Sequence, residues 1–307
     1  MKCENPMLAV KVGDKYRFVG AVKDSDYLCN RKYLYSTENK VVVACGQCFA
    51  CRMNRARDWA ARCVLEAKAY TENCFITLTY DPKFLPDDFG LLKKDFQDFM
   101  KRLRKNTGKK IRYYMCGEYG EKYGRPHFHA ILFGYYPPDT ELWSVRAGNN
   151  LYISAEVSRA WQYKGFVSVG DVTYDSACYV SRYINKKLTG EQAVEVYQGR
   201  QPPYNNMSLK PGIGASFLEK YSEDIYAKDF IVIRDNLKIK PPRYFDNIYD
   251  VYYGEGAFDE CVKPARLERA EILRNQNLEE YSFEAYTRKG RFQRVKRRND
   301  RRDYVEE

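Results

Sequence analysis

Gly124-Arg125-Pro126-His127-Phe128-His129-Ala130-Ile131-Leu132-Phe133 is the stretch on which the fold is decided. It carries both of the chain's 2 histidines, separated by a single phenylalanine. Residues two apart on a β-strand project from one face, so the imidazoles share a face and Phe128 points to the other. The apolar run Ile131-Leu132-Phe133 has strand character and predicts that setting. Neutral imidazole is a common ligand of divalent cations, and two side by side point to a metal site. The competing reading is a chance pair in a core strand.

Just upstream, Ile111 to Gly117 reads as a strand and Tyr119 to Arg125 as a glycine-bearing turn, so the histidine strand closes a hairpin. Glu118 lies nine residues ahead of His127, and folding back about Lys122 and Tyr123 sets it opposite His127 or Phe128. A carboxylate there completes a two-histidine, one-acid site with open coordination positions, which a catalytic metal needs and a structural one does not. A solvated turn acid is the plainer reading of Glu118, and Glu121 takes its place if the register slips. Mixed nitrogen and oxygen ligands suit magnesium, manganese or zinc alike.

On either side of the hairpin, elements alternate. Cys74 to Tyr80 is rich in β-formers and closed by Asp81-Pro82. Leu91 to Leu103 has helical periodicity, with Asp87 and Asp88 as caps and Asn106-Thr107-Gly108 as a stop. Tyr152 to Trp161 is expected as a helix, Gly165 to Val172 as a strand, and Ala177 to Leu188 as a helix capped by Ser176. The order β-α-β-β-α-β-α predicts an α+β fold, a ferredoxin-like antiparallel sheet backed by helices. A cysteine-rich amino-terminal segment (1–72) precedes this core (73–190), and a carboxy-terminal region with a basic tail (191–307) follows.

The last of these helices carries Tyr179-Val180-Ser181-Arg182-Tyr183-Ile184-Asn185-Lys186-Lys187. At about 100° per residue, Tyr183 lies roughly 40° round from Tyr179 and Lys186 roughly 20° to its other side, so the three share a face. A phenol, with a pKa of about 10, is a poor nucleophile at neutral pH and needs a cation or a polarised phosphate beside it. Lys186 offers the cation. In a chain with 28 tyrosines such a pair also arises by chance, so its weight comes from the histidine strand.

The amino-terminal segment holds Cys45-Gly46-Gln47-Cys48-Phe49-Ala50-Cys51, three thiols spaced by three with a glycine that permits a tight knuckle. Cys3, Cys29 and Cys63 are candidates for a fourth ligand, with Cys3, in its small Cys-Glu-Asn-Pro turn, preferred. A structural zinc is the expected occupant. An iron–sulfur cluster fits less well, because Arg55 stands where a ferredoxin-type run continues with cysteine. Behind the cluster, Met53, Ala56, Trp59, Ala60, Cys63, Val64, Ala67 and Tyr70 form an apolar helical stripe. Arg52, Arg55, Arg57 and Arg62 oppose it, as phosphate contacts or a plain solvated face.

The net charge of +11 and a pI near 9.0 favour a polyanionic partner, nucleic acid first among them. Aromatic rings interleaved with lysine and arginine suit stacking on single strands, although packing is their commoner use. No run reaches the length of a spanning helix, and the start lacks a signal-peptide core, so a soluble intracellular protein is expected. The tail from Arg288 to Arg302 either grips duplex DNA or merely solubilises the chain.

The ordered trio Phe75-Ile76-Thr77-Leu78-Thr79-Tyr80, Arg125-Pro126-His127-Phe128-His129 and Tyr179 to Lys187 resembles the three motifs of the HUH rolling-circle replication initiators. It looks most like those of the microviruses, particularly their gokushovirus branch. The cysteine cluster followed by a Trp-Ala helix is also similar to that branch. The motifs span residues 74 to 187, and the last third of the chain matches none. The resemblance implies a nicking enzyme acting on single-stranded or supercoiled origin DNA. Glu118, His127 and His129 would hold magnesium or manganese there, and Tyr179 or Tyr183 would form a 5′-phosphotyrosyl link. Arg125, Arg182 and Lys187 would lie along the DNA. It also implies a host helicase and polymerase as partners and the host bacterial cytoplasm as location, with no membrane role. Two rivals stand beside it: a plasmid relaxase or transposase sharing the chemistry, and a non-catalytic binder using exposed sheet aromatics and a zinc knuckle.

Overall fold

The computed structural model describes residues 3–13, 15–21, 40–120, 124–146, 148–186, 191–234 and 237–276. Three strands come first, β1 (Met7–Val12), β2 (Lys15–Ala21) and β3 (Lys40–Val43), which form a small antiparallel sheet in the order β2-β1-β3. Helix α1 (Phe49–Ala67) leads into β4 (Asn73–Thr79), α2 (Lys93–Thr107), and the hairpin β5 (Arg112–Tyr119) and β6 (Pro126–Phe133). A second hairpin, β7 (Thr140–Arg146) and β8 (Asn149–Ser154), precedes α3 (Ala155–Ala160), β9 (Val167–Gly170) and α4 (Tyr174–Lys186). Then follow α5 (Glu191–Tyr197), β10 (Tyr204–Met207), α6 (Ala215–Lys228), β11 (Ile231–Val232), β12 (Lys238–Ile239), α7 (Arg243–Tyr253) and α8 (Lys263–Gln276).

The organising layer is a seven-stranded sheet in the order β10-β5-β6-β4-β9-β8-β7, antiparallel at each junction. The two-residue repeat of its strands sorts side chains to opposite faces. Cys74, Ile76 and Leu78 of β4 and Phe128, Ala130 and Leu132 of β6 are buried on one face with Phe96, Phe99, Met100 and Leu103 of α2 and Trp161 beyond α3. Ile131 and Phe133 of β6 and Tyr114 and Cys116 of β5 turn to the other face, where Ala60 and Cys63 of α1 and Ala177 and Val180 of α4 cover them. Ala61 and Leu65 project from a second side of α1 against Leu218 and Ile225 of α6, Ile231, Ile233 and Phe245. α1 is therefore buried on two sides, which its run of alanines allows by letting neighbours approach closely.

Several expectations are corrected by this arrangement. The helix expected from Tyr152 starts only at Ala155, because Tyr152 belongs to β8 and Ser154 is the cap, accepting the Val157 N–H at 3.1 Å. The preceding hairpin was unexpected. Asp87 and Asp88 do not cap α2, which begins after the apolar Leu92; Asp88 instead accepts the Gly90 N–H at 2.8 Å. The expected stop holds, with Gly108 in the left-handed region at φ 65°. α4 starts at Tyr174 rather than Ala177: the Thr173 hydroxyl accepts the Ser176 N–H at 3.0 Å, and the Ser176 hydroxyl accepts the Thr173 N–H at 2.8 Å, a reciprocal capping box. β10 lies past residue 190 yet completes the sheet beside β5. Arg62 is neither solvated nor free for phosphate. Its guanidinium lies 4.0 Å from the Trp59 ring centroid and 3.8 Å from that of Tyr244, and its Nε donates to the Ile213 carbonyl at 2.9 Å.

Candidate active site

Register brings the acid to the histidines. β5 and β6 pair with Glu118 opposite His127 and Cys116 opposite His129, while β4 sets Thr79 opposite His127 and Thr77 opposite His129. All these residues have the parity of Ile131 and Phe133, so they lie on the face that α1 and α4 cover. Phe128 points the other way, into the rings of Tyr80, Phe96 and Trp161, with centroids 6.1, 5.8 and 5.9 Å away.

The donor atoms converge. Glu118 Oε1 lies 2.8 Å from His127 Nε2 and 2.9 Å from His129 Nε2. The three ligand atoms offered lie within 4.8 Å of one another. His129 and Glu118 are buried, and His127 is half-buried at the rim. His127 Nδ1 is 3.1 Å from the Arg125 carbonyl, an acceptor only, so Nδ1 carries a proton and Nε2 of the neutral ring presents a lone pair. His129 Nδ1 is 3.0 Å from the Thr77 hydroxyl, which orients the second ring in the same way. Two imidazole lone pairs then point at one carboxylate oxygen, an arrangement that repels unless a proton or a cation sits among them. This donor set fits a divalent ion. Burial alone raises the Glu118 carboxyl, but hydrogen bonds from His127 and His129 outweigh it and hold the group below its ordinary value.

α4 lies across this pocket. Ala177 and Val180 seat it on the sheet, and the Tyr179 ring meets His129 edge-on at a centroid distance of 5.1 Å and Phe75 at 6.2 Å. Tyr183 and Lys186 follow on the same helix at the spacing that shares the Tyr179 face. The side chains of Arg182, Tyr183 and Lys186, and Lys187, Glu121, Cys29 and the basic tail entirely, lie outside the described residues. Arg125 is exposed at the mouth, where its carbonyl also accepts the Gly120 N–H at 2.9 Å and closes the turn. Sequence reading missed Thr77 and Thr79 as neighbours of the imidazoles. The alternation of Cys74 to Tyr80, which puts Phe75, Thr77 and Thr79 on one face, was the available signal.

A second cluster lies at the amino terminus of α1. The sulfurs of Cys3, Cys45, Cys48 and Cys51 lie within 4.8 Å of one another, and Cys3 and Cys48 are 3.8 Å apart. Four thiolates about 2.3 Å from a tetrahedral zinc are separated by about 3.8 Å, since the edge is about 1.63 times the centre-to-corner distance. The set fits a single ion. Backbone N–H groups point at the sulfurs: Cys45 N–H to Cys3 Sγ at 3.2 Å, Cys48 N–H to Cys45 Sγ at 3.3 Å and Glu4 N–H to Cys48 Sγ at 3.4 Å. Burial opposes ionisation of Cys45, but the N–H groups of Cys48 and Gln47 prevail and bring it down to about 7. Cys63, the other described candidate, is buried under the sheet, away from this cluster.

A sequence model of the family described as Replication-associated protein ORF2/gene 2 protein matches residues 73–188. The chain is 34% identical over 251 residues to Replication-associated protein VP4 of Bdellovibrio phage phiMH2K, covering 78% of each chain. It is 30% identical over 285 residues to Replication-associated protein ORF2 of Spiroplasma virus 4, covering 87% of this chain and 86% of that one. Replication-associated protein ORF4 of Chlamydia phage 1 is 33% identical over 190 residues, which is 58% of this chain and 47% of that one. No solved structure matches.

Proposed function

Because the chain belongs to the phage replication-associated proteins, replication initiators of the microvirus type, we propose that it is a metal-dependent, site-specific single-strand DNA endonuclease and strand transferase. It would nick the origin, bond covalently to the 5′ side and so start rolling-circle replication. The observation that carries this reading is the convergence of Glu118, His127 and His129 beneath the Tyr179 ring. The β-α-β-β-α-β order of β4, α2, β5, β6, α3 and β9, with one hairpin inserted, supports a ferredoxin-like core of the HUH kind.

Glu118, His127 and His129 would hold magnesium or manganese. When bound, such an ion supplies Lewis-acid polarisation of the non-bridging phosphate oxygens. The residues do the rest. The Tyr179 phenol attacks phosphorus in line with the leaving 3′ oxygen, forming a tyrosyl–phosphate bond as the P–O3′ bond breaks. The released 3′-hydroxyl primes synthesis by a host polymerase. The phosphodiester energy stays in the covalent link, so the reverse step can close a circle. Tyr183, one turn along the same helix face, can cut a regenerated origin while Tyr179 holds the first end. Lys186 favours the phenolate of its neighbours. Thr77 and the Arg125 carbonyl keep the imidazoles in the productive tautomer, a positioning that spares reorganisation at the moment of reaction. Arg125, Arg182 and Lys187 would meet the DNA backbone.

The thiolate tetrad would hold a structural zinc with no open position for substrate. Among the described residues no helix is long and apolar enough to cross a membrane. The host cytoplasm, a host helicase and origin DNA are the setting this reading implies. Incubation with a labelled origin strand and manganese, followed by denaturing electrophoresis, tests it. A covalent adduct that maps to Tyr179 or Tyr183 is expected, and an adduct elsewhere, or none, overturns the reading.

A further inference from the structure

The row of side chains that begins at the histidine site does not end there. Glu118 faces His127 across one strand junction and His127 faces Thr79 across the next. Beyond Thr79, its N–H and hydroxyl both donate to the Phe166 carbonyl, at 3.0 and 2.8 Å. Leu78 pairs with Val167, which is buried on the α2 face, so Phe166, one residue earlier, lies on the histidine face. Phe166 is 47% exposed and meets Trp143, 59% exposed, at a centroid distance of 5.7 Å. Two large rings in contact with each other and open to solvent are unusual, since such side chains are highly buried on average.

Two departures from regular backbone geometry present this pair. β7 slips register against β8 between Leu142 and Ser144, leaving Trp143 unpaired at a bulge. Bulges next to active sites commonly re-aim a side chain. Phe166 follows a turn in which Gln162 and Tyr163 both occupy the left-handed region, at φ 60° and 52°. Non-glycine residues seldom adopt it, and such strain persists only where the surroundings enforce it. The turn is pinned by Gly165, where a Cβ would lie 2.4 Å from the Thr79 carbonyl oxygen. Backbone strain at one strand and a bulge at another thus converge on one aromatic pair.

We propose that Trp143 and Phe166 form a base-stacking platform for single-stranded DNA flanking the phosphate held at the histidine site. The pair lies about two strand spacings, roughly 10 Å, from His127, within reach of the first nucleotides beside a bound phosphate. The face belongs to a chain of net charge +11 whose family acts in replication, and stacking on exposed rings tolerates any base. The proposal rests on the nickase reading only for the location of the scissile phosphate.

The test is fluorescence-anisotropy titration of a labelled oligothymidylate in the presence of EDTA, so that binding is read without chemistry. Trp143→Ala and Phe166→Ala are each expected to weaken binding roughly 5- to 150-fold, the range for losing one stacked base. An abasic strand of the same length should bind the unaltered protein and both variants equally. Leu142→Ala, which removes an equally exposed side chain on the opposite face, should bind oligothymidylate as the unaltered protein does. Unchanged affinity in both aromatic variants overturns the platform and turns the patch into a docking site for a protein. An equal loss on the abasic strand overturns it too, since phosphate rather than base would then be read. Failure of the nickase reading shows separately, as absence of adduct in the unaltered protein.

Discussion

Tyr179 meets His129 edge to face, with ring planes at 86° and centroids 5.1 Å apart. The ring is thus a packing partner of a metal-ligand candidate as well as the bearer of a phenol. Phenylalanine preserves the packing and removes only the hydroxyl. Single Tyr179→Phe and Tyr183→Phe variants are expected to keep one round of adduct formation, each serving in the other's place. The double variant should lose the adduct by roughly 10³-fold or more, as expected when the acting nucleophile is removed. Time courses of adduct on denaturing gels measure this, and an adduct persisting in the double variant would refute the assignment.

Thr77 touches no substrate in the proposed reaction, yet its hydroxyl lies 3.0 Å from His129 Nδ1. Removing an orienting partner of a metal-ligating histidine typically costs 10–100-fold in metal affinity. Thr77→Val should therefore shift the manganese concentration for half-maximal adduct formation upward by about that factor, with activity recovered at high metal. Thr77→Ser should behave as the unaltered protein. A variant whose loss is indifferent to metal concentration would place Thr77 in folding rather than in positioning.

What was legible from the residues was whatever depends on the two-residue repeat of a strand. The shared face of His127 and His129, and the offset that sets Glu118 opposite His127, follow from strand parity and turn length. What was hidden depends on neighbours far along the chain. β10 reads Tyr-Asn-Asn-Met, with little β signal, and exists because β5 offers it a free edge. The β7–β8 hairpin was missed because the bulge at Trp143 breaks the alternation that marks a strand. Arg62 looks like a surface charge until Ile213, 151 residues away, supplies its acceptor.

The thiolate tetrad makes a separate claim on stability. Cys3 is 42 residues from Cys45, so one ion there would tie the chain's start to the head of α1. Protein purified under reducing conditions should hold a single zinc per chain, and cobalt in its place should give the charge-transfer bands of four thiolates. Cys51→Ser, or a strong chelator, should release the metal and lower the thermal midpoint, by about 2–4 °C for each kcal/mol lost. A metal-free protein whose midpoint ignores chelator would dispose of the site.

The deepest ion pair joins elements that sequence separates widely. Glu66 of α1 is 1% exposed and its Oε1 accepts from Arg112 Nε of β5 at 2.6 Å, while Oε2 accepts the Gly214 N–H at 2.7 Å. Arg112 Nη2 donates in turn to the Pro211 carbonyl at 2.7 Å. The pair thus fastens the 211–214 segment, and with it the start of α6, to α1 and the sheet. Glu66→Gln leaves the guanidinium buried without its counter-charge and should cost about 3–5 kcal/mol in urea unfolding. Replacing both partners by methionine removes the charges together and should cost less than Glu66→Gln alone. It should still cost about 1–3 kcal/mol, because the Gly214 N–H and the Pro211 carbonyl lose their partners in the interior. If the double replacement proved as costly as the two single ones added together, the residues would be acting independently and the clamp would not exist.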